Sequence, residues 1–456
     1  NGLFQNKLFN GNLNINDEFL KMRFNGLADF SSKVNKFDFT ANIIDADLVK
    51  TNLFTRDSVS KLKGELQFDI VGNTFDDILG ITTFNNVEYT SPKQTYNFKK
   101  FVITSSVKDN IKTIDINKNS DANDIAQGWL KGNFRFSELL PITQNALGSI
   151  YTNYNPYKVE PNQFIEFDFN IYNQIIDVFF PKIFIDKNTT LRGKINANTN
   201  ALKLTFNSPK ILVYGGELDS VYLRMDSKSN LYNTHLTATK VVTDYFKASK
   251  FNLLNITKND TLFFKSEFKG ATTINETFNM DFFYTFNKEK KAVLGIQKSS
   301  FDFENNIWKI NPQDNKDNKV VFDLKKNEFN FSPFYLRSNN QEITFQGIVK
   351  DSTQKNLKID FRKVKLSSLL PEIDSLSLSG ILNGQLDFIQ KDGQYSPKGN
   401  LSVSNFKINS FTQGDLDLNI VGDNSYEKYK VDLTLKNANR KSIFANGFID
   451  FTNQRP

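Results

Sequence analysis

The chain has 456 residues and a formal charge of +7, with Lys and Arg interleaved among Asp and Glu in nearly every segment. That length exceeds one compact core and predicts several domains or one elongated, repetitive one, and the scattered charge lacks the concentrated basic face of a nucleic-acid binder. The absence of cysteine and the single histidine, His235, remove disulfides, thiol nucleophiles and Cys- or His-rich metal sites, so no metal or cofactor is expected.

Alternation of apolar and polar residues marks strands from end to end, in short runs separated by Asn, Asp, Gly and Lys clusters. One pattern recurs: an apolar residue, any residue, glycine, then alternation. It appears as FNGNLNI (Phe9–Ile15), LKGELQF (Leu62–Phe68), LKGNFRF (Leu130–Phe136) and LRGKINA (Leu191–Ala197). Later copies are FKGATTI from Phe268, FQGIV from Phe345, LNGQLDF from Leu382 and PKGNLSV from Pro397. The spacing is irregular, which excludes a solenoid of fixed period. The glycines read either as bends that let a long sheet curl or as strand starts beside turns.

Helical signals are few. VSKL at Val59–Leu62 and LSSLLPEI at Leu366–Ile373 have room for about one turn each. SELLPITQNALGSIY, residues 137–151, offers a Ser cap with Pro141 in the first turn, and YNQIIDVFF precedes Pro181. FIEFDFNIY, from Phe164, carries an apolar residue out of phase and predicts a bulge. LSLSGILNGQLDFI, from Leu376 to Ile389, keeps one apolar face through seven alternations. GDLDLNIVG and YKVDLTLKN, joined at DNSYEK, predict an antiparallel pair presenting Leu416, Leu418 and Ile420 beside Tyr429, Val431, Leu433 and Leu435.

No catalytic constellation rises above background: there is no G-x-S-x-G elbow, phosphate loop or H-E-x-x-H helix. The adjacent carboxylates Asp76 and Asp77 read as a solvated turn, and DNKDNK, residues 314–319, as a polar hairpin tip without the glycine and closing glutamate of a calcium loop. No run of about 18 apolar residues could form a membrane-spanning helix. The chain starts and stops in strand pattern, so it is read as a single elongated region, residues 1–456, of a longer polypeptide whose membrane anchor and C-terminal end lie outside it.

At roughly eleven residues per strand and turn, the chain predicts roughly 40 strands, and a continuous sheet of that size extends on the order of 190 Å. Such sheets stack, close or curl. The expected class is all-β: a long, curled, mostly antiparallel sheet forming an elongated groove with a few short helices. The few helices cannot cover one side of it.

Four segments carry a family resemblance: FDFTANIIDADLVKTNLF, LKGELQFDIVGNTFDDILGITTFNNVEYT, VFFPKIFIDKNTTLRGKINANTNALKLTFNSPKI and LPEIDSLSLSGILNGQLDFIQKDGQYSPKGNLSVSNFKI. They resemble the TamB family, the translocation and assembly module within the AsmA-like group of bridge-like lipid-transfer proteins of the Gram-negative envelope. The likeness rests on loose patterns of alternation, Gly and Asp, and runs over nearly the whole chain. It implies a periplasmic β-groove anchored in the inner membrane, a TamA-like outer-membrane partner of the BamA superfamily, and non-catalytic movement of phospholipid between inner and outer membranes. An alternative within the same resemblance is a scaffold for assembly of outer-membrane barrels. A β-sandwich adhesin at the cell surface is a third reading.

A groove holding lipid tails needs only an unbroken apolar track. The residues expected to line it are Phe9, Leu13, Ile15, Leu62, Leu66, Phe68, Leu130, Phe134, Phe136, Leu191, Ile195, Leu382, Leu386, Phe388, Leu416, Leu418, Leu433 and Leu435. For each of them ordinary core packing is the competing explanation.

Overall fold

The structure is a computed structural model that describes residues 2–117, 126–150, 154–171, 173–244, 246–270, 276–303, 306–323, 325–369, 376–392, 394–422, 428–437 and 440–450. Strand accounts for 68% of it and helix for 5%, so the chain is all-β, and its antiparallel strands have little helix to cover them. Among the described residues there are 31 strands, fewer than the roughly 40 expected at the usual strand length. Many strands are long: Thr95–Lys108 and Leu378–Lys391 each have 14 residues. By contact density the chain divides into two compact units, 1–251 and 252–456.

In the first unit, successive strands pair as antiparallel neighbours from Gly2–Gln5 onward. The register places apolar side chains on one face: Phe24 opposes Leu13 and Ala41, Phe39 opposes Phe68, and Leu66 opposes Phe84. The other face carries cross-strand ion pairs, among them Lys63 with Glu88 (3.2 Å) and Arg192 with Asp168 (2.8 Å). Exposed pairs of this kind add little stability, so burial on the apolar face dominates. Phe164–Ile171 pairs without a register shift on both sides, and the bulge expected there is absent because the out-of-phase Phe164 begins the strand. His235 is a strand residue opposite Arg224, in ring contact with Tyr222 and Tyr232.

Among the described residues two helices fold onto this unit. The first, α1, spans Leu139–Gly148 and follows a 3-10 turn at Phe136–Glu138. Pro141 is tolerated because first-turn N–H groups have no intrahelical partner. Ile142 and Ala146, four residues apart, are fully buried against Phe134, Ile165, Ile195 and Leu202. Buried Asn145 donates to the Tyr157 carbonyl (2.8 Å) and accepts from the Tyr154 hydroxyl and the Tyr157 N–H. The second helix, α2, spans Asn173–Phe179 and is pinned at Asp177, whose carboxylate accepts from Tyr96 Oη (2.9 Å), Gln94 Nε2 (2.9 Å) and Lys93 Nζ (3.2 Å). Arg56 donates to the carbonyls of Val178 and Phe179 at its C-terminal end. Val59–Leu62 forms no helix: from Lys61 it is strand, paired with Leu79–Thr90.

The second unit runs as antiparallel strands from Thr261–Gly270 to Arg440–Asp450. The expected pair near its end is present, with Leu416 opposite Leu435, Leu418 opposite Leu433 and Ile420 opposite Val431; residues 423–427 of the joining stretch lie outside the described residues. Only Leu366–Ser368 of the LSSLLPEI segment is helical, as a 3-10 turn, and residues 370–373 lie outside the described residues. Residues 314–318 are no hairpin tip. They link Asn306–Ile310, which pairs with Ser299–Phe303, to Lys319–Asp323, which pairs with Ala292–Ile296.

The recurring glycines sit inside strands. Gly347 has φ +146°, and a Cβ there would collide with the carbonyl oxygen of Asn356 on the next strand. Only glycine adopts this conformation freely. Its α-carbon lies between Phe331 and Leu357 in the register, and the backbone of Asn356 and Leu357 already fills the space a side chain would occupy.

Candidate functional site

The apolar face is covered in some places and open in others. Among the described residues three buried clusters cover it. One lies beneath α1, and a second joins Val87, Tyr89, Tyr96 and Phe98 to Val178 of α2. The third, in the second unit, surrounds fully buried Trp308 and Val364 with Leu366 of the 3-10 turn. Each cluster gathers at an insertion that interrupts the strand pattern.

The residues expected from sequence divide accordingly. Phe134 and Ile195 lie inside the α1 cluster with Leu130 packed on it, and Leu62 and Leu66 pack on the Tyr89 cluster. Leu382 and Leu416 are part of the Trp308 cluster, and Leu418, Leu433 and Leu435 pack against it. Phe136 is exposed at the turn before α1, where the Lys112 ammonium lies 5.0 Å from its ring centre and 5.4 Å from that of Phe134. Phe9, Leu13, Ile15, Phe68, Leu191, Leu386 and Phe388 lie outside all three clusters, half-buried or, for Leu13, 47% exposed.

Two open stretches stand out. In the first unit a ladder of rings crosses four strands: Phe9 to Phe24 (5.7 Å between centroids), Phe24 to Phe39 (4.5 Å) and Phe39 to Phe68 (4.8 Å). Every ring touches the next, yet none is buried. In the second unit Leu386 and Phe388 line a cavity of about 290 Å³ with Ile420, Tyr429, Val431 and Ile449, where burial pushes the Tyr429 hydroxyl above its ordinary value. Phe24, Phe39, Ile420 and Val431 are absent from the expected set. Their alternation is legible in the sequence, but membership depends on cross-strand register, which alternation leaves free.

The polar groups Lys112, Asp76 and Asp77 near the entry of α1 are engaged in local hydrogen bonds. Lys112 donates to the carbonyl of Asp76, and desolvation pushes its ammonium below the ordinary lysine value against the pull of Asp76 and Asp77. Asp76 Oδ1 accepts the Phe136 N–H (2.6 Å), tying the hairpin turn to the entry of α1. Asp77 accepts from Thr74 and Asn73, and the Thr74 bonds hold its carboxyl below the usual aspartate range. Among the described residues no group of three or more His, Asp or Glu side chains is placed to hold a metal ion, and no helix is long and apolar enough to cross a membrane. What remains is a surface that can hold apolar chains by burial alone. No protein-family model, curated protein or solved structure matches the chain.

Proposed function

We propose that this chain is a β-groove lipid conduit: the open stretches of its apolar face seat phospholipid acyl chains, and the headgroups remain in water. The observation that carries this reading is the Phe9–Phe24–Phe39–Phe68 ladder, a contiguous set of rings, each in contact with the next, that no insertion covers among the described residues. Large contiguous apolar surface left open on a protein marks a binding site. Each methylene moved from water onto such a face contributes about 0.8 kcal/mol when fully buried, so no specific polar contact is required. The resemblance to the TamB family supplies the setting of the proposal, a periplasmic bridge between inner and outer membranes with an outer-membrane barrel partner of the BamA superfamily. Movement along the face needs no catalytic group.

Photo-crosslinking side chains placed at Phe39 and Leu386, with Ile142 under α1 as the covered control, test this in cells. Capture of phospholipid at the two open positions and not at the control is expected. Lipid capture at neither open position refutes the conduit.

A further inference from the structure

In the second unit alternation fails at Phe263–Phe264 and Phe282–Phe283, which put rings on both faces of two neighbouring strands. Phe264 and Phe282 stack 4.9 Å apart on the face that bears Phe278, itself stacked on Phe301 of the Trp308 cluster. Phe263 and Phe283 project to the opposite face, 6.4 Å apart and inclined at 46°.

Beside them the sheet has a seam. Ala292–Ile296 and Ser299–Phe303 lie end to end along Thr277–Phe286, and Lys319–Asp323 and Asn306–Ile310 lie end to end along Glu328–Ser338. Side-chain amides replace the missing ladder. Asn311 Nδ2 donates to the carbonyls of Ile296 (2.9 Å) and Asn315 (2.8 Å), and Asn318 Oδ1 accepts the Tyr335 N–H (3.2 Å). Asn318 Nδ2 is a buried donor without a partner among the described residues. Residues of the 311–319 segment line one side of a cavity of about 380 Å³, the size of a small-ligand pocket.

The floor of this cavity is Phe263, Phe283 and Val293. Around it, Gln297 uses neither end of its side-chain amide, and Asn287 and Asn315 accept backbone N–H groups through Oδ1 while their Nδ2 atoms stay free, among the described residues. Asp314, Lys316 and Lys319 also line it without an ion-pair partner among the described residues. The set thus offers aromatic faces, free donors and free acceptors together.

Ring faces are electron-rich and favour a flat array of C–H bonds. A fatty chain would leave the surrounding amides and charges desolvated and unpaired, and a phosphate would leave the rings unused. We propose that the seam cavity binds a saccharide unit, its C–H face on Phe263 or Phe283 and its hydroxyls exchanging hydrogen bonds with Gln297, Asn287, Asn315 and Asp314. The site stands apart from the open stretch at Leu386 and Phe388, because Phe263 and Phe283 project away from the face of the Trp308 cluster within the second unit.

The purified chain is probed against immobilised glucose, galactose, mannose, N-acetylglucosamine and their disaccharides, and each sugar bound is titrated by calorimetry as the free sugar and as its dodecyl glycoside. Binding of at least one sugar is expected, weakened about tenfold or more by Phe263→Ala and by Gln297→Ala and untouched by a short-chain phosphatidylcholine. Equal affinity for the free sugar and the glycoside assigns a soluble or polymeric glycan; tighter binding of the glycoside, with the same dependence on both residues, assigns a glycolipid head. The proposal is overturned if no sugar binds, if both variants bind as the parent does, or if the phospholipid displaces the sugar.

Discussion

Replacing Phe39 by aspartate puts a carboxylate at the centre of the ring ladder, between Phe24 at 4.5 Å and Phe68 at 4.8 Å. An acyl stretch of about ten methylenes contributes about 8 kcal/mol when fully buried and about half of that on a face open on one side. About 4 kcal/mol corresponds to roughly a thousandfold in Kd. The variant removes the central part of this contribution and adds the desolvation of a charge, several kcal/mol in an apolar setting. Lipid retention should therefore fall by about two orders of magnitude or more. Stability should fall much less than the ~3–5 kcal/mol of a buried Phe→Ala change, because Phe39 is only half-buried and a carboxylate there can reach water. The assay is retention of a fluorescent phospholipid by the purified chain, with circular dichroism and thermal melting in parallel. Thr40→Asp, on the opposite face of the same strand, is the control. Wild-type retention in a folded Phe39→Asp chain, or equal loss in both variants, refutes the reasoning.

Leu202→Ala, beneath α1 at 1% exposure, should cost about 2–5 kcal/mol in chemical denaturation; a loss well below that means α1 does not cover this face. Gly347→Ala should destabilise by about 1–3 kcal/mol from backbone strain alone, with the clash against Asn356 adding to it, and an unchanged melting temperature would contradict the left-handed backbone there. Burial pushes the Asp281 carboxyl above its ordinary value, with Lys265 opposing and Glu267 and Asp314 reinforcing. A carboxyl whose folded value lies above its unfolded value destabilises the fold when ionised, and stability is regained as pH falls through the folded value. Asp281→Asn should therefore melt higher than the parent at neutral pH, with the gain vanishing in acid; a gain that persists in acid rejects the assignment. Asp29, Asp57, Asp77 and Asp351, held low chiefly by hydrogen bonds from Ser31, Arg56, Thr74 and Thr353, run the other way and lose their contribution only as pH drops below the ordinary aspartate range.

The strands and their apolar face were legible because a period of two is a local property that every hairpin repeats. The pair near the end of the second unit, with Leu416 opposite Leu435 and Leu418 opposite Leu433, follows directly from it. The helical segments at 137–151 and before Pro181 were legible where the period changed, although Val59–Leu62 shows that a four-residue signal yields to pairing with a neighbouring strand. The candidate site was legible only in part. Phe134 and Phe9 carry the same local pattern, yet Phe134 is 5% exposed beneath α1 and Phe9 remains half-open. What separates them is what lies above the sheet, and that is a long-range fact.

Coverage nevertheless has a sequence correlate in the length of chain between strands. From Leu8 to Asp47 the strands follow one another through short turns, and there the ring ladder of Phe9, Phe24 and Phe39 stays open. Between Asn133 and Phe164 the pattern stops for about thirty residues, too long for an ordinary connection, and that stretch supplies α1 and its cluster. The same holds for the connection that carries α2 and for the one that starts at Leu366. A connection longer than a turn brings apolar residues of its own, and they find their burial on the nearest apolar sheet face. In a sheet of this kind the open face is therefore found where hairpins are tight, and the packed core where they are not. Shortening the 134–163 connection to a turn would uncover Ile165, Ile195 and Leu202, extending the open face at the cost of the buried cluster that steadies the first unit.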